Sequence, residues 1–210
     1  MKLEINRGKF IVFEGLDGSG KTTQLKRLAA HFAKQAQGVS FLATKEPTDG
    51  TLGNLARHVL LGDTPLSTDA FALLFAADRV EHIIREVQPA LEAGTFVLCD
   101  RFVYSNMAFQ GTALPQEVIA SYNERAVSLA TPDLTIFIDV SPEECTRRIV
   151  STRKNLEIYD GMEFAREIRN LYMKAFECYG ERMPVKIVDG NMSEDEVFEQ
   201  LLAIVSPLMQ

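Results

Sequence analysis

Eight residues, Gly15-Leu16-Asp17-Gly18-Ser19-Gly20-Lys21-Thr22, restrict this chain more than any other part of it. They fit the pattern G-x-x-x-x-G-K-[ST], placed after the apolar run Phe10 to Phe13 and ahead of a helical segment. Glycines let the backbone curl so that successive N–H groups converge on phosphate oxygens, and the helix that follows adds the positive end of its dipole. The pattern therefore predicts a strand, a tight anion-binding turn and a helix in that order, and a nucleoside triphosphate as ligand. Gly15, Asp17, Gly18, Ser19, Gly20 and Thr23 would surround the phosphates. Lys21 would bring a point charge to them, and the Thr22 hydroxyl a ligand for Mg²⁺.

The rest of the chain extends that unit. Apolar runs at Lys9 to Glu14, Val39 to Lys45, Phe96 to Asp100, Leu134 to Asp139 and Val185 to Asp189 have strand length and read as uniformly apolar, with no solvated face expected. Helical patterns separate them, at Lys21 to Gln35, Leu52 to Leu61, Thr68 to Glu92 and Gln116 to Ala130. Pro89 is expected to sharpen the end of the third. Ser141-Pro142-Glu143-Glu144 and Ser193 to Glu196 both read as capping boxes. Such alternation, with right-handed crossovers, predicts an α/β fold: a five-stranded parallel sheet between helical layers. Residues 1–210 suit one domain, and the segments 101–114 and 151–159 read as its two long loops.

Composition removes several function classes. Lys and Arg number 22 against 29 Asp and Glu, a formal charge of −7, so no basic stripe suits a nucleic acid. Cys99, Cys145 and Cys178 are widely spaced and odd in number, which reads as reduced thiols in a cytoplasmic protein. Neither a signal peptide nor a membrane span is expected. His31, His58 and His82 fall in helices away from the suspicious loops and receive no catalytic role.

Two segments choose among phosphate-loop proteins. Phe75 and Arg79 are spaced i, i+4 on the third helix, so a ring and a guanidinium share a face that could stack on a base and bond its edge. Strand three ends in Asp100-Arg101, at the carboxyl side where parallel sheets form their ligand crevice. Asp100 is placed there to hold Mg²⁺ through water, and Arg101 to brace a transferring phosphoryl group.

Together with the phosphate loop, the segments Lys45-Glu46-Pro47-Thr48, Leu74 to Arg79, Asp100-Arg101-Phe102, Ser105 to Gly111, Pro132-Asp133-Leu134 and a basic stretch before Tyr159-Asp160 resemble the thymidylate kinases over nearly the whole chain. The resemblance implies the strand order 2-3-1-4-5 seen in nucleoside monophosphate kinases, and transfer of the ATP γ-phosphoryl group to thymidine 5′-monophosphate (dTMP) with Mg²⁺, in a homodimer to which the apolar faces of Leu52 to Leu61 and Phe71 to Ile84 contribute. By position, Phe75 would stack on thymine and Arg79 bond its exocyclic oxygen. Asp17 would meet the sugar hydroxyl, Arg101 the acceptor phosphate, and Ser105, Gln110 and Tyr159 the base and sugar pocket. Lys45 with Glu46-Pro47 would line the monophosphate's other side. Because the phosphate-loop interior lacks a basic residue, the resemblance assigns the mobile catalytic cation to Arg153 or Lys154, in a lid over about 147–160, and sets Arg148 against adenine.

Two departures stand out: Thr48-Asp49-Gly50-Thr51 replaces Gly-Gly-Thr, and Phe102 stands where tyrosine is commoner. The nearest competing reading is a kinase for another pyrimidine or deoxynucleoside monophosphate, against which Phe75, Arg79 and Ser105 to Gly111 speak. A GTP-dependent switch would need an N-K-x-D sequence, which the chain lacks.

Overall fold

A computed structural model describes residues 7–35, 40–152, 158 and 161–209. Five parallel strands, β1 (Phe10–Glu14), β2 (Phe41–Lys45), β3 (Phe96–Asp100), β4 (Leu134–Asp139) and β5 (Val185–Asp189), form one sheet in the order β2-β3-β1-β4-β5. The phosphate-loop strand β1 is thus central, pairing β3 from Phe10 opposite Val97 and β4 from Ile11 opposite Leu134. Around the sheet lie α1 (Lys21–Gln35), α2 (Thr51–Leu60), α3 (Thr68–His82), α4 (Gln88–Glu92), α5 (Val103–Phe109), α6 (Gln116–Leu129), α7 (Pro142–Thr152), α8 (Met162–Tyr179) and α9 (Glu194–Val205). The core follows from strand position. Phe10 to Phe13, Val97 to Cys99 and Ile136 to Ile138 are buried because central parallel strands are covered on both faces.

The edge strands depart from the expectation of uniform burial. In β2, Ala43 and Lys45 are exposed, and in β5, Lys186, Ile187 and Asp189 are exposed. An edge strand has a neighbour on one side only, and the helical layers thin out there, so an apolar run does not by itself show full coverage. Val39, the expected start of β2, lies outside the described residues.

The helical stretch ends at Glu92, as expected, with Pro89 inside its last turns. From Thr68 to Glu92 the chain stays helical, but Ile83–Val87 widens into a π turn in which Gln88 N donates to Ile83 O. Proline has no N–H for the residue four back and its ring crowds that carbonyl; one extra residue in the preceding turn shifts the ladder before it arrives. The segment 101–114 also departs from a loop reading, forming α5 and a 3₁₀ turn at Gln110–Thr112. Of the two capping boxes, the one at Ser193 and Glu196 is complete. At Ser141 only half forms: Ser141 Oγ accepts from Glu144 N at 3.4 Å, while Ser141 N donates to Asn191 Oδ1 at 2.9 Å. Glu144 is drawn away by Arg147 and Arg148, whose hydrogen bonds hold its carboxyl down to about 2.

Candidate active site

The loop after β1 adopts the conformation that its glycines permit. Gly15, Gly18 and Gly20 have φ of 149°, 78° and 87°. A Cβ at Gly18 would sit 2.7 Å from Cys145 O, so this glycine answers to both the turn and the close pass of α7. Lys21 Nζ donates to Gly15 O at 3.0 Å and Leu16 O at 2.9 Å, bridging the loop from within. Burial, followed by the positive charge of Arg101, pulls its pKa below the usual lysine value. A lysine in that condition gains from a negatively charged ligand.

Beside it, Thr22 Oγ1 donates to Asp100 Oδ2, while Asp100 Oδ1 is buried without a hydrogen-bond partner. An orphaned carboxylate oxygen next to a hydroxyl is a hard, all-oxygen donor set, and it fits Mg²⁺. Arg148 on α7 reaches the same loop, donating from Nη1 to Gly18 O at 3.2 Å and from Nε to Glu144 at 2.7 Å.

Arg101 has φ of 76°, a conformation that non-glycine residues adopt at a cost. Its N–H donates to Phe13 O at 2.8 Å, and its guanidinium bonds Asp17, Ser105 Oγ at 2.9 Å and Tyr172 Oη at 3.3 Å. Glu14, at the end of β1, supports this geometry from below. Its Oε1 accepts from Phe102 N at 2.9 Å and Ser105 N at 3.1 Å, and its Oε2 from Ser105 Oγ at 2.5 Å and Tyr172 Oη at 3.0 Å. This buried carboxylate, its pKa raised by desolvation, serves as the missing N-cap of α5.

A cavity of 360 Å³ opens beside the loop. Asp17, Lys45, Pro47, Phe75, Arg79, Arg101, Ser105 and Gln110, scattered over four regions of sequence, all line it. Tyr159, Arg153 and Lys154 lie outside the described residues. Arg57, Leu60, Asn106 and Phe109 line the cavity too and were missed. Arg57 sits on α2, where apolar periodicity suggested only a packing face, and it also braces the preceding turn through Pro47 O at 2.9 Å and Thr48 O at 2.6 Å. That turn explains the departure at Thr48: its hydroxyl donates to Asp78 Oδ1 at 2.6 Å and its N–H to Oδ2 at 2.8 Å.

Arg79 is 2% exposed and is used chiefly within the protein. Its Nη1 donates to Asn123 Oδ1 and, at 3.3 Å, to Asn106 Oδ1; its Nη2 donates to Phe102 O at 3.0 Å. Nε lies 2.7 Å from Glu46 Oε2, an ion pair whose N–H is misaligned for a hydrogen bond. Glu46 also meets His82 Nδ1 at 3.0 Å. The histidine set aside on sequence distance is therefore joined to the pocket wall. Neither His82 nor Asn123 carried a local signal; each is a single polar residue in an amphipathic helix.

Comparison with known proteins places this geometry in context. A family model described as thymidylate kinase matches residues 13–201. The chain is 42% identical over 206 residues to a probable thymidylate kinase of Pyrococcus abyssi, covering 95% of this chain and 96% of that relative. It is 37% identical over 209 residues to a thymidylate kinase of Ligilactobacillus salivarius, with 96% and 99% covered. A thymidylate kinase of Clostridium novyi matches at 33% over 204 residues, with 94% and 98% covered.

Proposed function

The chain belongs to the thymidylate kinase family and phosphorylates dTMP with ATP, and from that premise we propose how its residues divide the work. The loop 15–22 with Thr23 holds the ATP phosphates, Arg148 lies on the adenine side, and the 360 Å³ cavity takes dTMP. One observation carries this reading: the described side chains that the sequence marked for the monophosphate, Arg101 among them, line a single cavity. Phe75 offers its ring to the base, Lys45 and Pro47 form the opposite wall, and Arg101, tethered by Asp17 and Ser105, meets the acceptor phosphate.

Phosphoryl transfer asks mainly for positioning and charge stabilisation, which two fixed cations at the junction of the two sites supply. Thr22 and Asp100 would hold Mg²⁺, which when bound neutralises charge on the phosphate oxygens. Residues 1–210 act as one domain in this reading, with a lid over about 147–160 in which Arg153 or Lys154 provides the mobile cation and Tyr159 completes the substrate side. The working form is a cytoplasmic homodimer. No helix among the described residues is long and apolar enough to cross a membrane.

A coupled assay of the natural nucleoside monophosphates with ATP tests the assignment, run on the wild type and Lys21→Ala. The highest kcat/KM is expected for dTMP. Loss of the Lys21 charge should remove about 3 kcal/mol of barrier stabilisation, roughly a hundredfold in rate, with the fold retained. Preference for another monophosphate, or near-native turnover by a folded Lys21→Ala protein, would overturn it.

A further inference from the structure

The cation assigned to the acceptor phosphate is tied through two hydroxyls to a buried carboxylate. A guanidinium only donates hydrogen bonds. Arg101 Nη1 donates to Ser105 Oγ at 2.9 Å and to Tyr172 Oη at 3.3 Å, so both hydroxyls must face it with lone pairs and send their protons elsewhere. Glu14 Oε2 stands ready for them, 2.5 Å from Ser105 Oγ and 3.0 Å from Tyr172 Oη. The two hydroxyls lie 2.8 Å apart, so one proton can pass between them, and the chain still ends on Glu14. Glu14 Oε1 accepts from the N–H groups of Phe102 and Ser105, and four incoming bonds fill the acceptor sites of a carboxylate. The same side chain therefore holds Arg101 at both ends: the peptide that follows its φ of 76°, and the tip of its guanidinium. Tyr172 comes from α8, 71 residues further along the chain. Arg169, three residues before it, pins that stretch to the end of β4 with two bonds of 2.7 Å to Asp139. Glu14 and Tyr172 are fully buried, and neither lines the cavity.

We propose that Glu14 and Tyr172 are positioning residues for the acceptor phosphate, acting through Arg101 and not on the nucleotide itself. The proposal rests on the assignment of Arg101 to that phosphate. A long, flexible cation gains most from a phosphate when its direction is fixed before the ligand arrives, because ordering it afterwards costs part of the binding energy. Asp17 holds one side of the guanidinium, and the hydroxyl pair backed by Glu14 holds the other. Loosening that second hold should weaken the grip on the phosphate and leave the base and sugar contacts as they were.

Thymidine, which has the base and sugar of dTMP but no phosphate, separates this role from general damage to the cavity. Tyr172→Phe removes one hydroxyl and keeps the ring, which packs against Phe109, Phe137 and Phe176. Glu14→Gln, with its carbonyl kept for the two backbone N–H groups, puts an NH₂ where Oε2 accepted, so the hydroxyls can no longer both turn their protons away from Arg101. Calorimetric titration of dTMP and of thymidine into the wild type and both variants gives the ratio of the two dissociation constants. The preference for dTMP should fall roughly tenfold in each variant, while thymidine affinity stays within about twofold of the wild type. Equal weakening of both ligands, or an unchanged preference, in proteins that still melt cooperatively would make the two residues structural only and overturn the proposal. Should Glu14→Gln not melt cooperatively, Tyr172→Phe decides alone, since it deletes a single atom from a ring that stays packed. A wild type that binds thymidine as tightly as dTMP would sink the assignment of Arg101 to the phosphate instead, an outcome distinct from a wild type that prefers dTMP and variants that keep its preference.

Discussion

Single side chains at this site are held by partners far away in sequence, and His82 shows what that coupling does. It lies between Glu46 at 3.0 Å and Glu86 at 3.2 Å, with Thr44 Oγ1 at 2.8 Å from Nε2. Burial alone would lower its pKa, but the hydrogen bond and charge of Glu46, together with Glu86 and Asp78, outweigh it and raise the value above that of a free histidine. A histidine with a raised folded-state pKa contributes stability that is fully present below its unfolded value, about 6.5, and fades as pH rises through the folded value. His82→Leu should therefore cost about 1–3 kcal/mol near pH 6, since it leaves Glu46 short of a buried partner. The loss should shrink toward pH 8.5. Urea midpoints of both proteins across that range measure it, and a difference that stays constant or grows with pH would show that His82 is not charged in the fold.

Among the elements, the two capping boxes have the same sequence signature and different structures. At α9 the box is closed: Ser193 Oγ accepts from Glu196 N at 3.3 Å, and Ser193 N donates to Glu196 Oε2 at 2.9 Å. The start of α9 is also bound to α1, because Gln24 Nε2 donates to Glu194 O at 2.7 Å and Arg27 meets Glu194 and Asp195. Ser193→Ala should then cost about 1 kcal/mol, a fall of roughly 2–4 °C in Tm for a chain of this size. Ser141→Ala, which removes only one long bond, should cost less. Calorimetry on the two variants ranks them, and equal losses would mean that the Glu144 half of the second box is not diverted to Arg147 and Arg148. The same competition explains why local pattern predicts where a helix begins better than which bonds close its end. Pro89 makes the point again, since the π turn at Ile83–Val87 lets the helix pass through it.

For the whole molecule, α2, α3 and the π turn carry the exposed apolar side chains on which the proposed homodimer would draw. Leu55 and Leu73 are 39% and 45% exposed, and Ile84 in the π turn is 47% exposed. Covering a large apolar side chain is worth about 1.5–3 kcal/mol, so a few such residues on one interface weigh appreciably in assembly. The proposed homodimer should sediment at twice the chain mass, and Leu73→Asp should shift it toward the monomer; a wild-type monomer mass independent of concentration would exclude the dimer. The sequence alone was enough for the phosphate loop, the central strands and eight of the residues that line the cavity. Each rests on local rules: apolar periodicity, glycine where φ must be positive, and motifs whose spacing is short. What lay beyond it were relations between distant residues. Exposure of β2 and β5 follows from their places at the sheet's edges, not from their composition. Glu14 caps a helix 89 residues later in the chain, His82 reaches across 36 residues to Glu46, and Asn123 reaches 44 to Arg79. A lone polar residue in an amphipathic helix has no periodicity to mark its partner, and only the packing of the sheet and its helices brings the two within a hydrogen bond.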